Sequence, residues 1–197
     1  MNSAHQQFLK QGHGKTAPWV DLANSEEWDT FGKPTDHLEN PAWPSFFLRQ
    51  WRFAASARNA PRTQLRALRA ALRHACEALA AGKAIPGAAL RTLNSAMNVA
   101  GRQQLVESQN GNGGAPWTVR FVPAVQGWDW VLAQVAHSFA EALAGDGAQR
   151  IRICRNDGCK WVFLDRTKGR TRCWCSDKSC GNRDRVRRAR AREKGAT

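Results

Sequence analysis

The chain has 197 residues, 42% of them hydrophobic, which is enough to bury a core in one domain or two and excludes a chain that stays disordered. Its formal charge of +14 is unevenly spread, because from Ala148 to the end 16 Lys and Arg face only 5 Asp and Glu, so polyanion-binding character belongs to that terminal segment. No run approaches the roughly 18 uninterrupted apolar residues of a membrane span, and the opening MNSAHQQFLKQGHGK lacks the apolar stretch of a secretory leader, so the chain reads as cytoplasmic, where clustered thiols favour a metal over disulfides.

Residues 1–44 interleave Trp19, Trp28, Phe31 and Trp43 with Pro18, Pro34, Pro41 and Pro44, which suits a turn-rich segment wrapping over a helical body. Asn24 and Glu27 have the spacing of a capping pair at the start of a short helix. Ser45–Ser56 is strongly apolar and reads as a helix, with a strand as the alternative. From Arg62 to Ala81, Leu65, Leu68, Leu72, Cys76 and Leu79 recur at intervals of three and four, while Arg66, Arg69 and Arg73 fall off that stripe. Gly82 marks a stop, and Pro86 suits the first turn of a helix carrying Leu90, Leu93, Met97 and Ala100. Trp117, Val119 and Phe121 alternate with polar residues as in a half-buried strand. Their expected hairpin partner is Arg102–Ser108, across the loop Asn110–Gly114. A last stripe of Trp128, Val131, Leu132, Val135, Phe139 and Leu143 predicts a helix between Gly127 and Ala144. Gly145–Gly147 then reads as a linker into the cysteine-rich end. The expected fold is α+β, mainly α: residues 1–147 form a helical domain with one β-hairpin, and residues 148–197 a small treble-clef-like zinc finger.

That finger carries the sharpest chemical signal. Cys154-x₄-Cys159 and Cys175-x₄-Cys180 place four thiols in two pairs of equal spacing, the donor set of a tetrahedral Zn²⁺ that takes sulfur at roughly 2.3 Å. Six cysteines in all is an even number, so count alone leaves a disulfide framework open. The apolar segment Trp161–Leu164, a turn over Asp165–Gly169 and a basic strand Arg170–Cys173 suggest a hairpin between the two cysteine turns. So small a unit lacks a sufficient core of its own, which couples its folding to the metal. Gly181 is expected to let backbone N–H groups approach sulfur, Asn182 to cap the final helix, and Asp184 to oppose the macrodipole in its first turn. Trp161 and Trp174 are expected to cover the site. Cys173 offers a fifth thiol, but the equal spacing favours Cys175 as the ligand. Cys173 is then a strand neighbour, packed or partly exposed, with a zinc-linked redox role as the alternative. Cys76 sits on the apolar stripe of its helix and reads as core.

Beyond Cys180, GNRDRVRRARAREK places six arginines on one short helix. Val186, Ala189 and Glu193 form a narrow seam expected to lie against the finger. Arg183, Arg187 and Arg190 line one flank, and Arg185, Arg188 and Arg192 the other. Such a helix suits phosphates or a major groove, so DNA is the expected partner, with RNA or a merely solvated tail as alternatives.

Several motifs in order carry a family resemblance. Cys180-Gly181-Asn182-Arg183, preceded by Cys154–Cys159, Trp161, Phe163-Leu164-Asp165 and Trp174-Cys175-Ser176 and followed by Val186–Arg192, resembles the CGNR zinc finger. Val20–Asn24 with Trp28 is similar to the ABATE domain that precedes this finger in its family. The resemblance implies a regulator of transcription under stress. Cys173 departs from the basic residue usual there.

The aromatic density of the N-terminal part (Phe8, Trp19, Trp28, Phe31, Trp43, Phe46, Phe47, Trp51 and Phe53) reads as core, or else as the lining of a small-molecule pocket that includes Asp21, Asn24 and Trp28, with Asp21, Asn24 and Glu27 adding polar specificity at its mouth. His5, His13, His37, His74 and His137 show no ligand-like pairing, and His137 reads as structural. No nucleophile elbow, phosphate loop or paired-carboxylate motif is present. The resulting expectation is a non-enzymatic, zinc-dependent DNA-binding regulator whose N-terminal domain senses an effector or mediates association, a homodimer if it reads a palindrome. A sensor or enzyme with purely structural zinc, or an RNA-binding protein, are the alternatives.

Overall fold

The computed structural model describes residues 17–28, 33–99, 101–107, 117–124 and 126–195. Helix α1 spans Pro18–Ala23, followed by a short antiparallel pair, β1 (Glu26–Trp28) and β2 (Pro34–Asp36). Helices α2 (Trp43–Trp51), α3 (Arg62–Ala80) and α4 (Gly87–Met97) come next. The hairpin β3 (Gly101–Glu107) and β4 (Trp117–Pro123) leads to α5 (Trp128–Ala144). The second hairpin, β5 (Ile151–Ile153) and β6 (Val162–Leu164), precedes α6 (Asn182–Gly195). No helix among the described residues is long and apolar enough to cross a membrane.

The two apolar stripes do what their period dictates. Leu65, Leu68, Leu72 and Cys76 of α3 are buried against Val131, Val135 and Phe139 of α5, with α1 closing the cluster. Each such aliphatic side chain contributes roughly 1.5–3 kcal/mol by leaving water. Trp19 meets Phe139 edge-on at 5.0 Å, and Trp43 stacks on Phe47 at 4.7 Å, so these fully buried aromatics form part of the core. Helix α3 stops where the sequence says it must. Gly82 takes φ +68°, Lys83 N–H donates to Ala78 O (2.8 Å) and Gly82 N–H to Leu79 O (3.0 Å), which satisfies the last carbonyls.

Several expectations are corrected. Asn24 follows a helix and does not begin one: it is the C-cap of α1, and Glu27 lies in β1. The apolar stretch after Trp43 is helical but ends at Trp51, where Arg52 turns left-handed at φ 55°. Pro86 precedes α4 as its N-cap, and Leu90 is exposed while Leu93 is buried. The β3–β4 hairpin forms with the expected partner segment, its register setting Leu105 opposite Val119 and Glu107 opposite Trp117, but Leu105 and Trp117 are both exposed. Phe8, Phe31, Ala100, the loop Asn110–Gly114 and the burial of Val119 and Phe121 lie outside the described residues.

Two further departures concern how the finger joins the rest. Gly145–Gly147 is no slack tether: Gly147 is buried, and a Cβ there would stand 2.1 Å from the Ala142 carbonyl oxygen. Arg69 and Arg73, off the apolar stripe of α3, are nevertheless buried. Arg69 grips Asp36 through two hydrogen bonds of 2.6 and 2.9 Å, and Arg73 donates to the carbonyls of Ala23 and Lys160, both at 3.1 Å.

Candidate metal centre and nucleic-acid interface

The first cysteine pair sits on the turn of the β5–β6 hairpin, where Ile151 faces Leu164 and Ile153 faces Val162. The ladder continues for one bond beyond the strands, from Cys154 N–H to Trp161 O at 2.9 Å. The hairpin partner of Val162–Leu164 is therefore Ile151–Ile153 and not the basic segment Arg170–Cys173, which runs alongside without strand pairing. Two apolar residues facing the main core decide this pairing, since Ile151 and Val162 are both fully buried there. Arg155 N–H donates to Cys173 O at 3.0 Å, which holds the returning segment beside the first turn.

The second pair is held by polar contacts that the sequence did not reveal. Asp165 is fully buried, and although burial opposes its charge, hydrogen bonds from Thr167 and from the Arg172 N–H hold its carboxyl below the usual range. The Arg172 guanidinium lies 4.7 Å from the Phe163 ring and donates to the carbonyls of Trp174 and Cys175. The carbonyl bonds and the cation–π contact fix the backbone that presents Cys175.

These elements bring Cys154, Cys159, Cys175 and Cys180 together, all buried, with every sulfur within 4.8 Å of every other. The Cys159–Cys175 and Cys175–Cys180 sulfur pairs are each 3.6 Å apart. Four sulfurs placed 2.3 Å from a tetrahedral centre stand about 3.8 Å apart, so the donor set fits a metal ion of that kind. Hydrogen bonds from Cys159, Cys175 and Cys180 pull the Cys154 thiol well below its ordinary range, and the same sharing pushes Cys175 up. All six cysteines are free thiols. Cys173 stays outside the cluster, half-buried, with its thiol donating to Thr171 O at 3.3 Å. Cys76 is fully buried in the main core. Trp161 and Trp174 do pack over the four cysteines.

The final helix starts differently from expectation. Residues Asp177–Gly181 form a π-helical turn that runs directly into α6, and Ser176, not Asn182, is its N-cap, accepting from Ser179 N–H at 3.4 Å. Gly181 N–H donates to Ser176 O and not to sulfur. Its lack of a side chain makes room for Trp174 and Asp177, whose atoms a Cβ would meet at 3.1 and 2.9 Å. Nor does the seam of Val186, Ala189 and Glu193 dock, since residues 185–193 are all exposed. The helix is anchored at its first turn instead. Arg183 reaches Cys180 Sγ at 3.2 Å and Arg185 donates to Asp177 O. Buried Asp184 pairs with Arg187 at 2.9 Å and Arg188 at 2.8 Å, while Arg187 also reaches Asp157 at 3.7 Å. Arg190 and Arg192, further along, make no ion pair among the described residues.

The candidate pocket residues are each held in contacts of their own. The Asp21 carboxylate accepts from Trp51 Nε1 at 2.8 Å. Asn24 is fully buried, and Trp28 is flanked by the cations of Arg73 and Lys160 at 4.9 and 5.0 Å from its ring centre. A cleft of about 770 Å³ does open between α3, α4 and α5, lined by Leu68, Arg91, Thr92, Asp129, Trp130 and Leu132 among others. None of the three residues is on it. His137 is exposed and pairs with Glu141, whereas His37 is buried against Glu27.

Against known families, the model named ABATE and described as "Putative stress-induced transcription regulator" matches residues 16–146, and the model for the CGNR zinc finger matches residues 150–193. No curated protein matches the chain.

Proposed function

The chain belongs to the ABATE family, whose model covers residues 16–146, and it ends in a CGNR zinc finger; from that premise we propose that it is a zinc-dependent, DNA-binding regulator and not an enzyme. Residues 148–197 form the unit that meets DNA, and residues 1–147 the unit that senses an effector or associates with a second copy. Cys154, Cys159, Cys175 and Cys180 hold the Zn²⁺. The carrying observation is a helix with arginine on most of its exposed surface, joined directly to four converging sulfurs. A metal there fixes the pose in which Arg183, Arg185, Arg187, Arg188, Arg190 and Arg192 meet phosphates. The cleft beside Arg91 and Asp129 is the better effector candidate, in place of Asp21, Asn24 and Trp28.

The test is fluorescence anisotropy of the full chain with duplex DNA across a salt series. If four to six arginines neutralise phosphates, log K falls against log salt with a slope of roughly −4 to −5. Arg190→Ala with Arg192→Ala removes the two arginines that make neither an ion pair nor a side-chain hydrogen bond among the described residues, and is expected to shrink that slope by about 2 while zinc content stays the same. Salt-independent retention, or a preference for structured RNA over duplex, overturns the reading. Elemental analysis is expected to return one zinc per chain.

A further inference from the structure

The arginines near the base of α6 are already engaged: Arg183 with Cys180 Sγ, Arg185 with the Asp177 carbonyl, and Arg187 and Arg188 with Asp184. Asn182 and Val186 are not. Asn182 is exposed, and its side-chain amide has no hydrogen-bond partner among the described residues. Val186, one turn on, is 42% exposed on an otherwise strongly polar helix. Together with Arg183, Arg187 and Arg190 the two line a shallow groove along one side of the helix. An apolar side chain left 42% exposed among cations keeps apolar surface available for contact, and a carboxamide beside it with both its donor and acceptor unused among the described residues is a second unspent recognition group.

Resting on the DNA-binding reading above, we propose that Asn182 and Val186 are the base-reading residues of α6, and that they select two A·T pairs no more than two steps apart in the major groove. A carboxamide matches the N7 acceptor and N6 donor of adenine, and an aliphatic side chain matches the thymine C5-methyl. Four residues of helix rise about 6 Å, close to two base-pair steps of about 3.4 Å, so the adenine and the thymine lie within two steps of each other. The cationic flanks hold the phosphates and set the register. A helix whose first turns meet base edges is the geometry by which recognition helices read sequence.

The experiment selects preferred duplexes from a random library with the full-length, zinc-loaded protein, then measures affinity for the selected duplex with thymine replaced by uracil or adenine by 7-deazaadenine. Loss of the methyl is expected to weaken the wild type about fourfold, and loss of adenine N7 about tenfold. Val186→Ala is expected to bind thymine and uracil duplexes equally. Asn182→Ala is expected to ignore the 7-deaza change. Unchanged zinc content and helicity in both variants separate lost contact from lost structure. Salt-dependent binding that enriches no sequence, or substitutions that all leave affinity unchanged, overturns the assignment while leaving DNA binding in place. Absence of duplex binding at low salt overturns both.

Discussion

Asn24 replaces a strand. Its Nδ2 donates to Val162 O and its Oδ1 accepts from Val162 N–H, each at 2.8 Å, so one buried amide supplies both bonds that a neighbouring strand would give β6. Removing it strands two buried backbone groups, and Asn24→Ala is expected to cost about 2–4 kcal/mol in denaturant unfolding; a loss below 0.5 kcal/mol would contradict this role. Asp21 acts in the opposite sense. Burial pushes its carboxyl up to about 6 despite the hydrogen bond from Trp51. With the folded value raised above the unfolded one, its protonated form favours the fold below about pH 4, and that contribution is lost as pH rises through 6. Asp21→Asn keeps an acceptor for Trp51 and removes the ionisation. The variant is therefore expected to exceed the wild type above pH 6 by up to about 3 kcal/mol, with the difference vanishing near pH 4. Parallel stability–pH curves would refute it.

Among the elements, Gly147 gives the sharpest expectation. A methyl group there meets a helix backbone carbonyl at 2.1 Å with no flexible side chain to yield, so Gly147→Ala is expected to lower the thermal midpoint by the equivalent of about 2–4 kcal/mol. Gly82→Ala, in open space at φ +68°, is expected to cost only about 1 kcal/mol. What was legible in the chain follows the same division between local and distant causes. The stripes of α3 and α5 were readable because a period of 3.6 residues is written in neighbouring positions. The four cysteines were readable because paired donors at fixed spacing imply one centre. The partner of Val162–Leu164 was not, because Ile151–Ile153 and Arg170–Cys173 are both within reach and burial against another part of the molecule decides between them. Arg69 and Arg73 lie off the apolar stripe, and their burial depends on Asp36 and on carbonyls that only the folded chain brings near. The seam on α6 had the right spacing but no surface to pack on.

At the scale of the molecule, the core of the described residues runs across the boundary between the two family matches. Ile151 and Val162 from the finger hairpin are buried in the same cluster as Leu72 and Val135, while Arg73 and Asn24 from the other side bond the backbone at Lys160 and Val162. Chelating the metal is therefore expected to lower the unfolding midpoint reported by core tryptophans as well as the helicity of α6, in one transition. Two separate transitions, with the core midpoint unmoved, would show that the parts are independent. The site at Lys160 has a consequence for any attempt to transplant the zinc-bearing segment. Cut away as a cassette, it would carry bare aliphatic side chains at Ile151 and Val162 and a peptide edge missing its borrowed amide, so a graft onto a foreign host would invite clumping unless a counterpart of Asn24 and its greasy bed travelled with it.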